Sequence, residues 1–203
     1  LHDIVQAALK AGADAAEAVS ADRRSLSVGV RNGRLEDVER EESRDLGLRV
    51  FVGQRQASVS ASDLSPATRT RLVERAVAMA RLAPEDPHAG LAPQDRLARA
   101  PFAELGLFDP SERSAEALEQ AAAEAEAAAL AVKGVARSEG GHASWSSSRW
   151  RLVTSHGFDG DYQGSAFSLG VGVIAEKDGA MERGGESRST RHLSDLPGAE
   201  IIG

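Results

Sequence analysis

Apolar and polar positions alternate with two different periods along this chain, and the switches between them mark out its elements. Ile4, Val5, Ala8 and Leu9 fall on one face of a helix, and Gly12 lies where such a helix stops. A strand is expected around 16–20. Leu26, Val28 and Val30 then alternate with polar residues up to Asn32-Gly33, beyond which residues 34–40 form a second arm. Asn-Gly accepts the positive φ of a two-residue type I′ turn, so this stretch reads as a hairpin. Leu46, Leu48, Val50 and Val52 alternate again, Gly53-Gln54-Arg55 turns the chain, and Ala57, Val59 and Ala61 keep the period. Ser65-Pro66 places a capping hydroxyl before a proline at the first helical position. Leu72, Val73, Ala76, Val77 and Ala80 then recur at helical spacing until Pro84.

Residues 84–110 hold five prolines and little periodicity, which predicts a linker or wrapping loop. Ser111 or Ser114 starts an Ala- and Glu-rich helix to about Val132, closed by Gly134. Its narrow apolar stripe is Leu118, Ala122, Ala125, Ala129 and Val132, and its glutamates read as a solvated face. Strand patterning returns from Ser138, with turns expected at Ser155-His156-Gly157 and at Asp159-Gly160-Asp161. Phe167, Leu169, Val171 and Val173 point one way, while Ser168, Gly170 and Gly172 leave the other face nearly bare. Such a face lets another backbone approach closely. Asp178-Gly179 predicts a last hairpin, into residues 180–190. The fold class is therefore α+β: an N-terminal helix-covered antiparallel sheet, then a long helix and a second antiparallel sheet. The expected divisions are 1–83, a Pro-rich linker 84–110, and 111–203 continuing into a further β-rich domain, because Pro197–Gly203 reads as an approach to another element.

Composition narrows the function. The 203 residues carry 24 basic and 31 acidic side chains, a net charge of −7. Such a surface repels phosphate backbones, which argues against direct nucleic-acid binding. The absence of cysteine removes disulfides and thiolate metal sites. No apolar run has the length of a membrane span, so no membrane association and a cytoplasmic location are expected. The five histidines, His2, His88, His142, His156 and His192, include no pair one helical turn apart, as a zinc helix requires. No catalytic residue, metal ligand or cofactor is assigned to this chain.

Four motifs have plainer readings than their letters suggest. Gly170-Val-Gly-Val-Ile-Ala175 has the dinucleotide spacing but lies inside a strand instead of opening a helix. Asp159-Gly-Asp161 begins like a calcium loop, yet the twelfth position is Gly170 and not a bidentate Glu. Ser155, His156 and Asp159 have the residue types of a nucleophilic triad, but neighbours on one turn rarely aim at each other as that chemistry needs. The charge run Glu36–Glu42 reads as a solvated hairpin arm, the alternative being contact with a basic partner.

Several segments together resemble one family. Leu46-Gly-Leu-Arg-Val50, the stretch 57–66 and Pro84-Glu-Asp-Pro87 are similar to the N-terminal half of the TldD/PmbA family. Glu139-Gly-Gly141, Ser155-His-Gly157, residues 173–183 and Ser194-Asp-Leu196 are similar to its middle region, and closer to the PmbA (TldE) branch. The resemblance implies a longer protein with an N-terminal α/β domain and a C-terminal β-rich domain. It also implies a PmbA-type subunit without metal ligands, which pairs with a TldD-type subunit bearing a His-Glu-x-x-x-His zinc helix. Zinc is thus expected only on that partner, and no position here matches its ligand motif.

The function so implied is that of a non-catalytic wall and partner-interface portion of a two-component cytoplasmic zinc metalloprotease. Its substrates would be small unfolded peptides such as microcin precursors. The expected partner is a TldD-like subunit or a second copy of this chain. Extended peptides would be held by strand addition along residues 166–174 or the hairpin 181–190. His156, Glu182 and Arg183 are the candidate peptide- or partner-contacting groups. The rivals are a non-enzymatic regulator of the DNA gyrase modulator type and a lone hydrolase built on Ser155 and His156.

Overall fold

A computed structural model describes residues Leu1–Gly203. Six strands, β1 (Ala15–Arg31), β2 (Arg34–Val52), β3 (Arg55–Ala61), β4 (Val135–Thr154), β5 (Asp159–Lys177) and β6 (Ala180–Thr190), combine with four helices, α1 (His2–Lys10), α2 (Pro66–Leu82), α3 (Ala115–Leu130) and α4 (Ala199–Ile202). The strand order is β3-β2-β1-β4-β5-β6 in one six-stranded sheet. The α+β class stands, but the two sheets expected from sequence are stretches of one ladder. Strand length is the reason. The segments around 16–20 and 26–30 are parts of a single 17-residue strand, and β2 runs unbroken for 19 residues through the charge run. Only one turn, at Ser155–Gly157, separates β4 from β5, since Asp159-Gly160-Asp161 is already strand.

Contacts divide the chain into two compact units, neither of them a continuous stretch. The first comprises Leu1–Asp22, Ser43–Leu105 and Arg149–Tyr162; the second comprises Arg23–Glu42, Gly106–Ser148 and Gln163–Gly203. Four long strands supply residues to both.

In the first unit, α1 and α2 cover the sheet. Ile4, Val5 and Ala8 from α1 meet Leu72, Val73, Ala76, Val77 and Ala80 from α2 over Leu46, Leu48 and Val50 of β2. Leu48 and Val50 are fully buried, worth about 1.5–3 kcal/mol each. The helix boundaries follow local chemistry. Ser65 Oγ accepts the Thr68 N–H at 3.4 Å ahead of Pro66, and the N–H groups of Ala11 and Gly12 bond back to Ala7 and Leu9. Antiparallel β2 and β3 pair from Leu46↔Ala61 to Val52↔Arg55, and no farther toward the start of β2.

The second unit places α3 and α4 over a core of Val28, Val30, Ala143, Trp145, Phe167, Leu169 and Val171. Ser114, not Ser111, is the cap of α3, with its Oγ accepting the Ala117 N–H at 3.2 Å. Small side chains on α3 allow very close packing: a Cβ on Gly141 would lie 2.3 Å from the carbonyl oxygen of Ala122. One α3 glutamate departs from the expected solvated face. Glu126 is 1% exposed and receives the N–H groups of Asn32 and Gly33 at 2.8 and 2.7 Å and the hydroxyl of Ser138. Asn32 and Gly33 both have positive φ, as the type I′ turn requires, so their N–H groups turn outward toward that carboxylate.

The segment 84–110 is less a linker than a strap. Its first part bonds within the first unit, where Asp86 N–H reaches Gln54 O at 2.7 Å and Phe102 meets the Phe158 ring at 6.0 Å. Its last part bonds within the second, where Leu107 O accepts the Ser165 N–H at 3.0 Å and Asp109 accepts the Leu193 N–H at 2.8 Å.

Candidate peptide and partner surfaces

Ser155, His156 and Asp159 face three different sets of partners. The Ser155 hydroxyl accepts the Ala16 N–H at 3.0 Å, while its own N–H donates to Ala16 O at 2.8 Å, so both ends brace β1. The His156 ring lies 3.3 Å, through Nδ1, from Ala92 O in the strap. Asp159 takes two bonds from Arg151, at 3.0 and 2.8 Å, and one of 2.8 Å with His2. The Arg151 hydrogen bonds, followed by that of His2, hold the Asp159 carboxyl down at about 2. A nucleophile must be hydrogen-bonded to its base, and no such bond links these three residues.

Zinc requires three or four side-chain ligands converging on one point. No group of three His, Asp or Glu side chains is so arranged, and the residues present do not fit a metal centre. Three histidine rings are hydrogen-bonded elsewhere, His2 to Asp159, His156 to Ala92 O and His192 to Gly106 O at 2.7 Å, and the His142 ring lies beside Gly170. The acidic start of β5 is similarly occupied, Asp161 pairing with Arg149 at 3.0 Å.

Glu182 and Arg183 lie on β6, in the second unit, whereas His156 lies in the first. Glu182 stands opposite Ala175 and Arg183 opposite Ile174, so successive positions send them to opposite faces. Arg183 reaches Glu139 of β4 at 2.8 Å, and both residues keep substantial exposure. Strand addition needs a free edge. β6 has one, because it is the terminal strand of the sheet and residues 180–189 are exposed. Residues 166–174 do not. They belong to β5, which is bonded to β4 on one side and to β6 on the other, and this removes them as a strand-addition site. Nor is their glycine face bare. A Cβ on Gly170 would lie 2.5 Å from His142 Cε1, and one on Gly172 would lie 3.3 Å from Glu139 Cβ. Those glycines make room for neighbours within the chain. A cleft of about 240 Å3 elsewhere in the second unit is lined by Arg113, Leu118, Glu124, Phe167 and Leu196, none of them anticipated.

No helix is long and apolar enough to cross a membrane. The architecture is an α+β scaffold carrying open strand edges, and comparison with known proteins gives that scaffold its class. Residues 16–80 match the PmbA/TldA metallopeptidase domain 1, and residues 108–202 match the PmbA/TldA metallopeptidase central domain. The chain belongs to the PmbA/TldD metallopeptidase family. It is 36% identical to the metalloprotease PmbA of Escherichia coli O157:H7, over all of this chain and 46% of that protein. It is 34% identical to the metalloprotease PmbA homolog of Haemophilus influenzae, over 98% of this chain and 44% of that protein. The chain thus spans about half the length of the curated relatives it matches. Two crystal structures share the fold across 99% of this chain. One, from Bacteroides thetaiotaomicron, bears the name of a DNA gyrase modulator, with a TM-score of 0.88 at 20% identity over 47% of that protein. The other is TldE from Thermococcus kodakarensis, with a TM-score of 0.81 at 18% identity over 45% of that protein.

Proposed function

We propose that this chain is the scaffold portion of a PmbA/TldE-like subunit in a two-component cytoplasmic zinc metalloprotease. It supplies walls and a partner interface, and the zinc sits on a TldD-like subunit. The substrates are small unfolded peptides, for which an open sheet edge offers main-chain pairing. The observation carrying this reading is the free edge of β6, in a chain of a metallopeptidase family in which no three His, Asp or Glu side chains converge on one point. Glu182 and Arg183 flank that edge; His156 braces the strap and serves the wall.

The test mixes this chain with a TldD-type subunit and follows cleavage of an unstructured peptide. The expected result is no cleavage by this chain alone and chelator-sensitive cleavage in the mixture. Cleavage by this chain alone that persists in chelator overturns the proposal. The name carried by the Bacteroides structure favours a second reading, a regulator contacting DNA gyrase. Binding to gyrase without any effect on peptide cleavage would select it.

A further inference from the structure

The second unit has another open edge, at the opposite end of the sheet from β6. β3 covers β2 only from Leu46 onward, so residues 34–42 have β1 on one side and no strand on the other. All nine of these residues are exposed. No backbone bond outside the strand ladders involves them. The edge is nonetheless anchored at its start, because Glu126 clamps the Asn32-Gly33 turn from which β2 departs, and β1 pairs with it along one side. A strand fixed beforehand gives up little conformational freedom when another segment pairs with it.

The side chains select the occupant. Five acids and two arginines lie between Arg34 and Glu42. Glu36 is neutralised by Arg31 at 3.0 Å, and Glu42 by Arg40 at 2.8 Å. Asp37, Glu39 and Glu41 make no ion pair. They recur every second residue, so they share one face of the strand at a repeat of about 6.6 Å. Between Ser25 and Val30 the neighbouring strand β1 carries no cation to answer them, and Arg24 just before it is engaged by Glu112 at 2.7 Å and Glu42 at 3.9 Å. Like charges along a strand face repel one another unless a cross-strand neighbour offsets them. Leu35 and Val38, each 48% exposed, add apolar contact area beside the row of acids.

We propose that β2 residues 34–42 form a docking edge for an extended segment of a partner protein bearing Lys or Arg at alternate positions. That segment adds as a new strand beside β2, and its cations meet Asp37, Glu39 and Glu41. The inference rests on the edge itself and not on the proteolytic reading, which uses β6.

The test uses the full chain and fluorescent peptides of about nine residues. One peptide alternates Lys with Thr or Val, a second has Glu in place of Lys, and a third keeps the lysines but carries N-methyl groups along one backbone edge. The Lys peptide is expected to bind at least roughly ten-fold tighter than either control, and to weaken about ten-fold on raising salt across a three-fold range. Glu39→Lys/Glu41→Lys should lower its affinity roughly ten-fold and rescue the Glu peptide, with circular dichroism unchanged because both residues are exposed. Equal binding of the N-methylated peptide overturns strand addition, leaving diffuse charge attraction. Equal binding of the Glu peptide by the unmodified chain overturns the charge assignment. Self-association abolished by the double variant would make the occupant a second copy, and would also overturn the proposal. None of these outcomes bears on whether a TldD-type mixture cleaves peptides, so the two readings fail separately.

Discussion

Gly33 donates its backbone N–H to the carboxylate of Glu126 at 2.7 Å, across 93 residues of sequence. Asn32 donates to the same carboxylate, and Ser138 adds its hydroxyl while also accepting the Gly140 N–H at 2.8 Å. One buried acid on α3 therefore fixes the β1–β2 turn and the start of β4 together. A carboxylate with 1% exposure is tolerated there because three donors replace the water it gave up.

Removing that acceptor leaves two part-buried backbone N–H groups and the buried Ser138 hydroxyl without their partner. Glu126→Ala should cost about 2–3 kcal/mol, a sizeable part of an ordinary domain's stability, and Glu126→Gln about 1–2 kcal/mol because one oxygen remains. Urea unfolding gives the difference. Hydrogen exchange should show faster amide exchange at Asn32 and Gly33 before any change in α2. If Glu126→Ala unfolds at the same urea concentration as the parent, the carboxylate contributes nothing net.

The carboxyl of Asp159 is depressed from 3.8 to about 2, first by the Arg151 hydrogen bonds and then by His2. A carboxyl lowered on folding stabilises the native state above its unfolded value, and that contribution fades as pH falls toward its folded value. The window here is from about pH 4 down to about pH 2. Melting temperatures of the parent and of Asp159→Asn should differ at neutral pH and converge across this window. A constant gap from pH 6 to pH 2 would show that the ion pair is not responsible. The side chain keeps 35% exposure, so added salt should shrink the gap.

Two glycines of the second unit should respond differently to alanine. At Gly141 the obstacle is the Ala122 carbonyl of α3, 2.3 Å from the new Cβ, and helix backbone cannot step aside cheaply. Gly141→Ala should cost about 2–3 kcal/mol, or more if α3 lifts from the sheet. At Gly170 the nearest obstacle is the His142 ring at 2.5 Å, the mobile end of a side chain, with Ser187 Cβ at 2.9 Å. Gly170→Ala should cost less, about 1–2 kcal/mol, and His142→Ala should recover part of it in a double-mutant cycle. Absence of coupling between positions 142 and 170 would contradict the packing described.

What the sequence displayed openly is whatever is decided within a few residues. Asn32-Gly33 and Asp178-Gly179 are hairpin turns with positive φ, Ser65 caps a helix before Pro66, and the buried stripe of α3 lies at Leu118, Ala122, Ala125 and Ala129. What escaped depends on partners far along the chain. Glu126 looks like its exposed neighbours Glu116 and Glu124 until the hairpin is placed against it. The strand at 166–174 looks like an open edge until β4 and β6 are set on its two sides. The charge run 36–42 was legible as a solvated hairpin arm, but its unbroken continuation into 46–52 as one 19-residue strand was not. Glu182 and Arg183 were readable as exposed strand residues, but the Arg183–Glu139 pair across three strands was not.

Ser155 offers the sharpest separation of structural from chemical roles. Its hydroxyl is committed to the Ala16 N–H, and His156 is turned toward Ala92 O, so neither group is aimed at the other. Ser155→Ala should therefore lower stability by about 1 kcal/mol, the worth of one hydrogen bond with its donor left partly buried. In a reconstituted peptide-cleavage assay, the same variant should leave the rate within about two-fold of the parent, since less than a tenfold loss is outside what removal of a nucleophile produces. His156→Ala should act alike, loosening the strap near Ala92 without touching turnover. A fall of about a thousand-fold or more on either substitution, with the fold intact by circular dichroism, would return these two residues to the centre of the chemistry.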